Sequence, residues 1–209
     1  MKYELTSESK VVNGHTLYRI RATENFSNVK KGDLGGWVES VDNLSQEGNC
    51  WVYNDACVFG NANVYGTAIV CDSASVFDSA SVFGNANVYG NASVCDSARV
   101  YGFARVYNSA RVFDSASVCD GARVFGNAIV YGNARVYGNA SVCDGARVFD
   151  SARVYGSAWV FGDAKVSGDA KVSGDARVSG NARVVKEIIA PIIIPKTISA
   201  IHWLEVYTE

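Results

Sequence analysis

The sequence predicts an all-β solenoid in a single domain of 209 residues, and three observations support this prediction. From Trp51 to Ala182 the chain divides into 22 consecutive hexads without an insertion. The second residue of every hexad is Val and the sixth is Ala. The third is Tyr, Phe or Cys, or Ser near the end, and the fourth and fifth are mostly Gly, Asp, Asn, Ser or Thr. Such a fixed short period is typical of repeat architectures.

Each hexad encodes one short strand followed by one corner. The run Ala, variable residue, Val, aromatic alternates small apolar residues with outward-facing ones, which is the period of a β-strand. The Gly-Asn or Asp-Ser pair that follows is typical of turns, since these residues tolerate positive φ or bond their own backbone. A strand this short needs neighbours, so coils must stack at ~4.8 Å around a narrow column of Val and Ala. That column leaves no room for an internal cofactor.

The pattern resembles the hexapeptide-repeat superfamily, with an aliphatic residue, a small residue four positions later and a period of six. This resemblance implies a single-stranded left-handed parallel β-helix with three hexads in each triangular coil, and therefore about seven coils. The handedness comes from the resemblance, because parallel crossovers are otherwise right-handed.

A narrower resemblance precedes the repeat. The segment Lys31-Gly32-Asp33-Leu34-Gly35-Gly36-Trp37-Val38-Glu39, with 43–45 and 48–52, is similar to the opening of uncharacterised bacterial and prophage proteins of the YdcK-like group. The resemblance suggests a phage-derived protein and implies no established activity. We predict a β-rich N-terminal cap over residues 1–44, a β-helix over 45–183 and a capping tail over 184–209, in which Ile188, Ile189, Ile192, Ile193, Ile194 and Ile198 seal the end.

Composition and charge exclude several classes of function. A net charge of -2 gives no basic field for nucleic acid or an anionic membrane. The N-terminus lacks the apolar segment of a signal peptide, and the longest apolar run is too short to span a membrane. We therefore expect a cytoplasmic protein whose six Cys are thiols.

A catalytic role is disfavoured by the histidines. Acyltransferases of the superfamily use a His on a coil as general base and bind the acyl donor between subunits of a trimer. Here His15 and His202 both lie outside the hexads, and two His cannot supply the three ligands of the zinc enzymes that share this fold. We expect no catalytic residue, metal or cofactor and can identify no small-molecule ligand, although an acyltransferase-like enzyme stays open as the alternative.

Four cysteines recur every 24 residues at the third position, at Cys71, Cys95, Cys119 and Cys143. With three hexads in each coil, this spacing moves each Cys to the next face of the prism. The four therefore form a diagonal in which no pair is close enough for a disulfide or a shared metal. We interpret them as small substitutes for Tyr or Phe.

The third positions predict an aromatic column on each face of the prism. Face 1 carries Tyr53, Tyr89, Tyr107, Phe125 and Phe161; face 2 carries Phe59, Phe77, Phe113, Tyr131 and Phe149; face 3 carries Tyr65, Phe83, Tyr101, Tyr137 and Tyr155. Such rings support one another across strands, and an extended apolar strip is also typical of an interface. First positions become basic from Arg99 onward, but Asp residues at the corners compensate that charge, so a nucleic-acid partner is not expected. The sequence thus favours a non-catalytic scaffold or interaction module that binds a protein partner or itself through aromatic faces, foremost faces 1 and 3.

Overall fold

A computed structural model of the chain describes residues 1–189 and 193–194. Within this part the regular elements are β-strands and one 3-10 turn at Val41–Asn43. Three longer strands open the chain: β1 (Tyr3–Val12), β2 (His15–Ala22) and β3 (Leu34–Val38). Every later strand is two residues long, except Lys171–Ser173, which has three.

The short strands occupy the first two positions of each hexad and form three parallel sheets, one for each face. Face 1 contains Trp51–Val52, Ile69–Val70, Asn87–Val88, Arg105–Val106, Arg123–Val124, Ser141–Val142, Trp159–Val160, Arg177–Val178 and Ile193–Ile194. Face 2 continues from β3 into Cys57–Val58, Ser75–Val76, Ser93–Val94, Arg111–Val112, Ile129–Val130, Arg147–Val148, Lys165–Val166 and Arg183–Val184. Face 3 contains Asn63–Val64, Ser81–Val82, Arg99–Val100, Ser117–Val118, Arg135–Val136, Arg153–Val154, Lys171–Ser173 and Ile188–Ile189.

Every third hexad stacks in register, which confirms three hexads per coil. Val94 pairs with Val112, and Val112 pairs with Val130, so equivalent residues lie directly above one another. The solenoid has about 8 turns, against about seven expected from the hexads. The additional turn precedes the repeat, where β3 pairs with Cys57–Val58 and Leu44 bridges to Val64. This architecture agrees with the left-handed β-helix that the family resemblance implies.

The core is the column of Val and Ala that the hexads predict. The second-position valines from Val52 to Val178 are fully buried, and the sixth-position alanines up to Ala176 are at most 1% exposed. Fully burying one Val contributes ~1.5–3 kcal/mol, which is offset largely by the entropy of ordering the backbone. Because the same two small residues repeat in every coil, the column has a constant cross-section and the faces are flat.

The corners explain the fourth position of the hexad. All fourth-position residues, from Asn54 to Gly180, have φ between 54° and 74°, which only Gly, Asn and Asp adopt at low cost. Aspartates here also bond the next coil, as Asp114 shows by accepting from the Gly132 amide at 2.9 Å. Where the corner is Gly, the coils are close: a Cβ on Gly126 would lie 2.8 Å from the Asp144 amide nitrogen.

The N-terminal cap covers the first coil with large side chains. Strands β1 and β2 form an antiparallel hairpin, and β2 pairs with β3, which extends the sheet of face 2. Tyr3 and Ile20 are fully buried, and the Tyr3 hydroxyl donates to the Leu44 carbonyl at 2.7 Å. Lys2 is also buried, and its Nζ donates to the carbonyls of residues 47, 48 and 50. These three residues lie immediately before the first hexad.

At the other end, Ile188 packs against the core, and Ile188–Ile189 pairs with Lys171–Ser173. Ile193–Ile194 pairs with Arg177–Val178. The remaining predicted seal residues, Ile192 and Ile198, and His202 lie outside the described residues. Within the described part, no helix is long and apolar enough to cross a membrane.

Candidate functional site

The third-position rings form parallel stacks along the solenoid. Neighbouring rings have centroids 4.7 Å apart at Tyr65–Phe83 and 5.1 Å apart at Phe113–Tyr131, with interplanar angles of 3° and 10°. The spacing follows the distance between coils, because each ring is fixed to a strand in register with the next. Ring faces are therefore buried against each other, and ring edges form the outer surface.

The structure joins most of the predicted interface residues into stacks and separates others. Face 1 holds the stack Tyr89–Tyr107–Phe125, while Tyr53 and Phe161 stand apart from it. Face 3 holds Tyr65–Phe83–Tyr101 and Tyr137–Tyr155. Face 2 holds Phe59–Phe77 and Phe113–Tyr131–Phe149. Each face therefore carries short stacks instead of one continuous column.

The cysteines are the interruptions. Cys71 lies between Tyr53 and Tyr89 in the order of face 1, and Cys119 lies between Tyr101 and Tyr137 on face 3. All six cysteines are free thiols. Burial raises the pKa of Cys71 to about 11 and that of Cys95 to about 12, so both thiols stay protonated at neutral pH. These cysteines are space-filling residues and are poor nucleophiles.

Basic side chains lie over the ring edges. The Arg99 guanidinium is 5.4 Å from the ring centroids of both Phe83 and Tyr101, and that of Arg135 is 5.6 Å from the Tyr137 ring. Arg and ring together give faces 2 and 3 a ridge that is apolar at its centre and cationic beside it.

The corner aspartates do not pair directly with these arginines. Among the described residues the salt bridges are His15–Glu39, Arg19–Asp55, Arg21–Glu4 and Lys171–Glu187. The aspartates instead place one carboxylate oxygen on a backbone amide of the next coil, as in Asp120 to Gly138 at 3.2 Å. Within residues 1–189 and 193–194, the charges along the faces are therefore not compensated by ion pairs between arginines and corner aspartates.

The cap histidine reaches the first coil, which the sequence left open. The Nδ1 of His15 lies 3.0 Å from both carboxylate oxygens of Glu39, and its ring is 5.0 Å from the Phe59 ring. Glu39 also accepts from the Gly60 amide at 2.7 Å. These two bonds hold the pKa of the Glu39 carboxyl below its ordinary value, with the His15 bond the larger cause. A carboxylate at Nδ1 orients the imidazole and directs Nε2 away from Glu39, which is how proteins position a general base.

Sequence reasoning missed Glu39, because the residue lies 24 positions from His15 and in no motif with it. Only the pairing of β2 with β3 brings the two together. Within residues 1–189 and 193–194, no group of three His, Cys, Asp or Glu side chains could hold a metal ion.

A family model described as the YdcK beta-solenoid repeat matches residues 122–138 and 130–144. The chain is 36% identical over 61 residues to a protein of Escherichia coli (strain K12) named "Uncharacterized acetyltransferase YdcK", an alignment that covers 26% of this chain and 19% of that protein. The match thus spans about a fifth of the relative's length. Together with the stacked parallel coils, these findings confirm the resemblance: the chain is a β-solenoid protein similar to YdcK.

Proposed function

We propose that the protein is a non-catalytic β-solenoid scaffold or interaction module of the cytoplasm, which binds a protein partner or a further copy of itself through its aromatic faces. The observation that carries the proposal is the set of ring stacks on flat faces. The longest stack on face 1 is Tyr89–Tyr107–Phe125, and the longest on face 3 is Tyr65–Phe83–Tyr101. Its six thiols are free, which suits a reducing compartment.

The physical case rests on pre-organisation. A ring held between two others has little rotamer freedom left to lose when a partner binds, so the entropic cost of association is small. Aromatic and Arg side chains are also the residue types enriched at the centres of interfaces. Tyr65, which ends its stack beside the cap, is 39% exposed and is the most open of the third-position rings.

The test uses a serine variant for each face. Tyr101→Ser/Tyr137→Ser/Tyr155→Ser removes rings from face 3, and Tyr89→Ser/Tyr107→Ser/Phe125→Ser removes the central stack of face 1. Circular dichroism checks the fold, light scattering measures self-association, and cross-linking from lysate measures partner binding. We expect at least one variant to stay folded and to lose a contact that the wild type makes. If both keep every contact, the proposal is wrong.

The second candidate function is an acyltransferase-like enzyme, and the His15–Glu39 pair favours it. The similar protein of Escherichia coli is named an acetyltransferase, although an uncharacterised one. Isothermal titration with acetyl-CoA tests this function, with His15→Gln as the matched variant. If acetyl-CoA binds to a trimeric protein, and acetyl transfer is lost in His15→Gln, the acyltransferase-like function is established. No binding together with a monomeric or dimeric mass would remove it.

A further inference from the structure

Face 2 differs from the other faces in the order of its charges. The hexad Arg-Val-Phe-Asp-Ser-Ala occurs twice on it, at 111–116 and 147–152. Each copy places a basic residue at the first position, an aromatic ring at the third and an acidic residue at the fourth. No hexad of face 1 or face 3 combines a basic first position with an acidic fourth position. Across face 2 the lateral order is therefore basic, aromatic, acidic in two coils.

These charged side chains are exposed and free to pair with charges on another molecule. Arg111, Asp114, Arg147 and Asp150 are all exposed, and none forms an ion pair with another described residue. The Arg111 guanidinium lies over the Phe113 ring at 5.4 Å. Asp150, like Asp114, uses Oδ2 to accept from the next coil, at 3.0 Å from the Gly168 amide. Its Oδ1 makes no bond within the described part of the chain.

The coil between these two hexads is apolar at its centre. Ile129 pairs in register with Arg111 on one side and with Arg147 on the other. The Tyr131 ring is stacked between Phe113 and Phe149, with centroids 5.1 and 5.0 Å away. The patch is thus an apolar centre with a charged coil above it and another below.

Of the two possible two-fold arrangements of two copies of the chain, only one brings opposite charges together across face 2. A two-fold axis parallel to the solenoid keeps the height of every coil and reverses left and right, so each basic position meets the acidic position of the same coil in the other copy. A two-fold axis across the solenoid reverses height and keeps left and right, so basic meets basic. We propose that face 2 pairs with face 2 of a second copy, with the two solenoids side by side and pointing the same way. Arg111 then faces Asp114, and Arg147 faces Asp150, twice each.

The coils nearer the cap match in the same arrangement. Asp78 and Asp96 share their hexads with Ser75 and Ser93, whose hydroxyls can donate to a carboxylate. Each fourth-position aspartate of face 2 therefore meets a donor. Stacked rings at the centre meet their own counterparts, which buries edges that the single chain leaves in water.

The N-terminal cap limits how much of face 2 a second copy can contact. Phe59 is 2% exposed because the cap packs on it, so the free part of face 2 begins at Ser75–Val76. Seven strands at ~4.8 Å and six residues at ~3.3 Å give on the order of 600 Å² per copy, somewhat below the ~800 Å² of a standard interface. We expect a micromolar, salt-sensitive dimer.

Charge reversal tests the pairing. Arg111→Asp/Arg147→Asp puts Asp opposite Asp, and Asp114→Lys/Asp150→Lys puts cation opposite cation. By sedimentation velocity over a range of concentrations, the wild type should dimerise, each variant alone should dissociate at least tenfold more readily, and an equal mixture of the two should form a heterodimer. Arg135→Asp/Arg153→Asp is the matched control on face 3, where no acidic fourth position faces these residues, and it should dimerise like the wild type.

Three results would overturn the inference: a wild-type monomer at all concentrations, a trimer, or equal effects of the face 2 and face 3 variants. If Asp114→Lys/Asp150→Lys does not fold, Arg111→Asp/Arg147→Asp and its control still decide. The inference rests on the proposed function in treating an aromatic face as a contact surface. The two fail separately, because a monomeric wild type excludes the pairing and leaves binding by faces 1 and 3 to the serine variants.

Discussion

The cap and the body of the solenoid are stabilised in opposite ways. In the body, one small set of side chains recurs in every coil, and contacts join residues 18 positions apart, as in Asp72 to Gly90. In the cap, single large or charged side chains make contacts found once, such as Lys2 with the carbonyl of Cys50, which is 48 residues away. The stability of the body therefore comes from many equivalent interactions, one set in each coil, whereas the stability of the cap depends on a few residues.

This difference should appear in how each region tolerates substitution. A body position is repeated, so neighbouring coils supply the same interaction when one is lost. A cap position is unique, so its loss exposes the edge of the first coil.

The largest effect is expected at the two tryptophans of face 1. Both occupy a first position, but Trp51 is 1% exposed beneath the cap and Trp159 is 41% exposed. The Trp51 ring also packs edge-on against Phe26 at 5.3 Å and Tyr3 at 6.0 Å. Trp51→Ala should lower the free energy of unfolding by ~3–5 kcal/mol and Trp159→Ala by less than ~1 kcal/mol. Urea denaturation measures both, and equal losses would contradict the comparison.

A smaller effect, with opposite signs, is expected at two glycines. A Cβ on Gly35 would lie 2.6 Å from Ile20 Cγ1 and 2.7 Å from the Val52 carbonyl oxygen. Gly35→Ala should therefore cost ~1–3 kcal/mol through overpacking. On Gly121 the closest atom is Asn139 Oδ1 at 2.7 Å, on an exposed side chain that can turn away. Gly121→Ala should be neutral or stabilise by up to ~1 kcal/mol, because it restricts the unfolded chain.

Thermal unfolding of both glycine variants beside the wild type checks these signs. Ser97 and Ser115 already occupy the position of Gly121 in other hexads, which supports tolerance there. A loss in Gly121→Ala as large as that in Gly35→Ala would show that the coils are as tightly fitted as the cap.

How much of this the sequence could predict also divides between body and cap. The fixed Val and Ala predict the strands and the outward aromatic positions, because every hexad satisfies the same local rules, and the coil of three hexads is what the family resemblance implies. Lys2 at the start of the chain is typical of a solvated residue, and nothing in the sequence pairs it with the carbonyl of Cys50. His15 and Glu39 are likewise joined only by the register of β2 and β3. A contact that occurs only once produces no repeating pattern in the sequence, so sequence periodicity cannot predict it.

The pair His15–Glu39 predicts a pH dependence confined to the cap. The folded pKa of Glu39 lies below the ordinary 4.5, so its charged form adds stability above pH 4.5 that is lost as pH falls through the folded pKa. Glu39→Gln lacks this contribution. The difference in unfolding free energy between wild type and Glu39→Gln should be full at neutral pH and shrink below pH 4.5.

Urea titrations at a series of pH values measure this difference. Glu8→Gln is the control, since it removes a charge from β1 whose carboxylate makes no bond to another described residue. A difference between wild type and Glu39→Gln that stays constant down to the acid limit of folding would rule out a role for the ionised Glu39 carboxylate in stability.

The smallest effect is expected at Ser141, where the body departs from its own uniformity. Ser141 pairs with Arg123 on one side and with Trp159 on the other, and these larger neighbours leave it fully buried. Its hydroxyl has no hydrogen-bond partner among the described residues. An unsatisfied buried hydroxyl costs ~1–3 kcal/mol, but a small shift of the neighbours can admit water.

Ser141→Ala should therefore raise the free energy of unfolding by up to ~1 kcal/mol. Ser117→Ala, at the first position of a similar hexad on face 3, is half-buried and should change stability by less than ~0.5 kcal/mol. Differential scanning calorimetry of the two variants resolves the order. If Ser141→Ala destabilises, the hydroxyl makes a bond through water, and the body then contains a specific polar contact of the kind that otherwise characterises the cap.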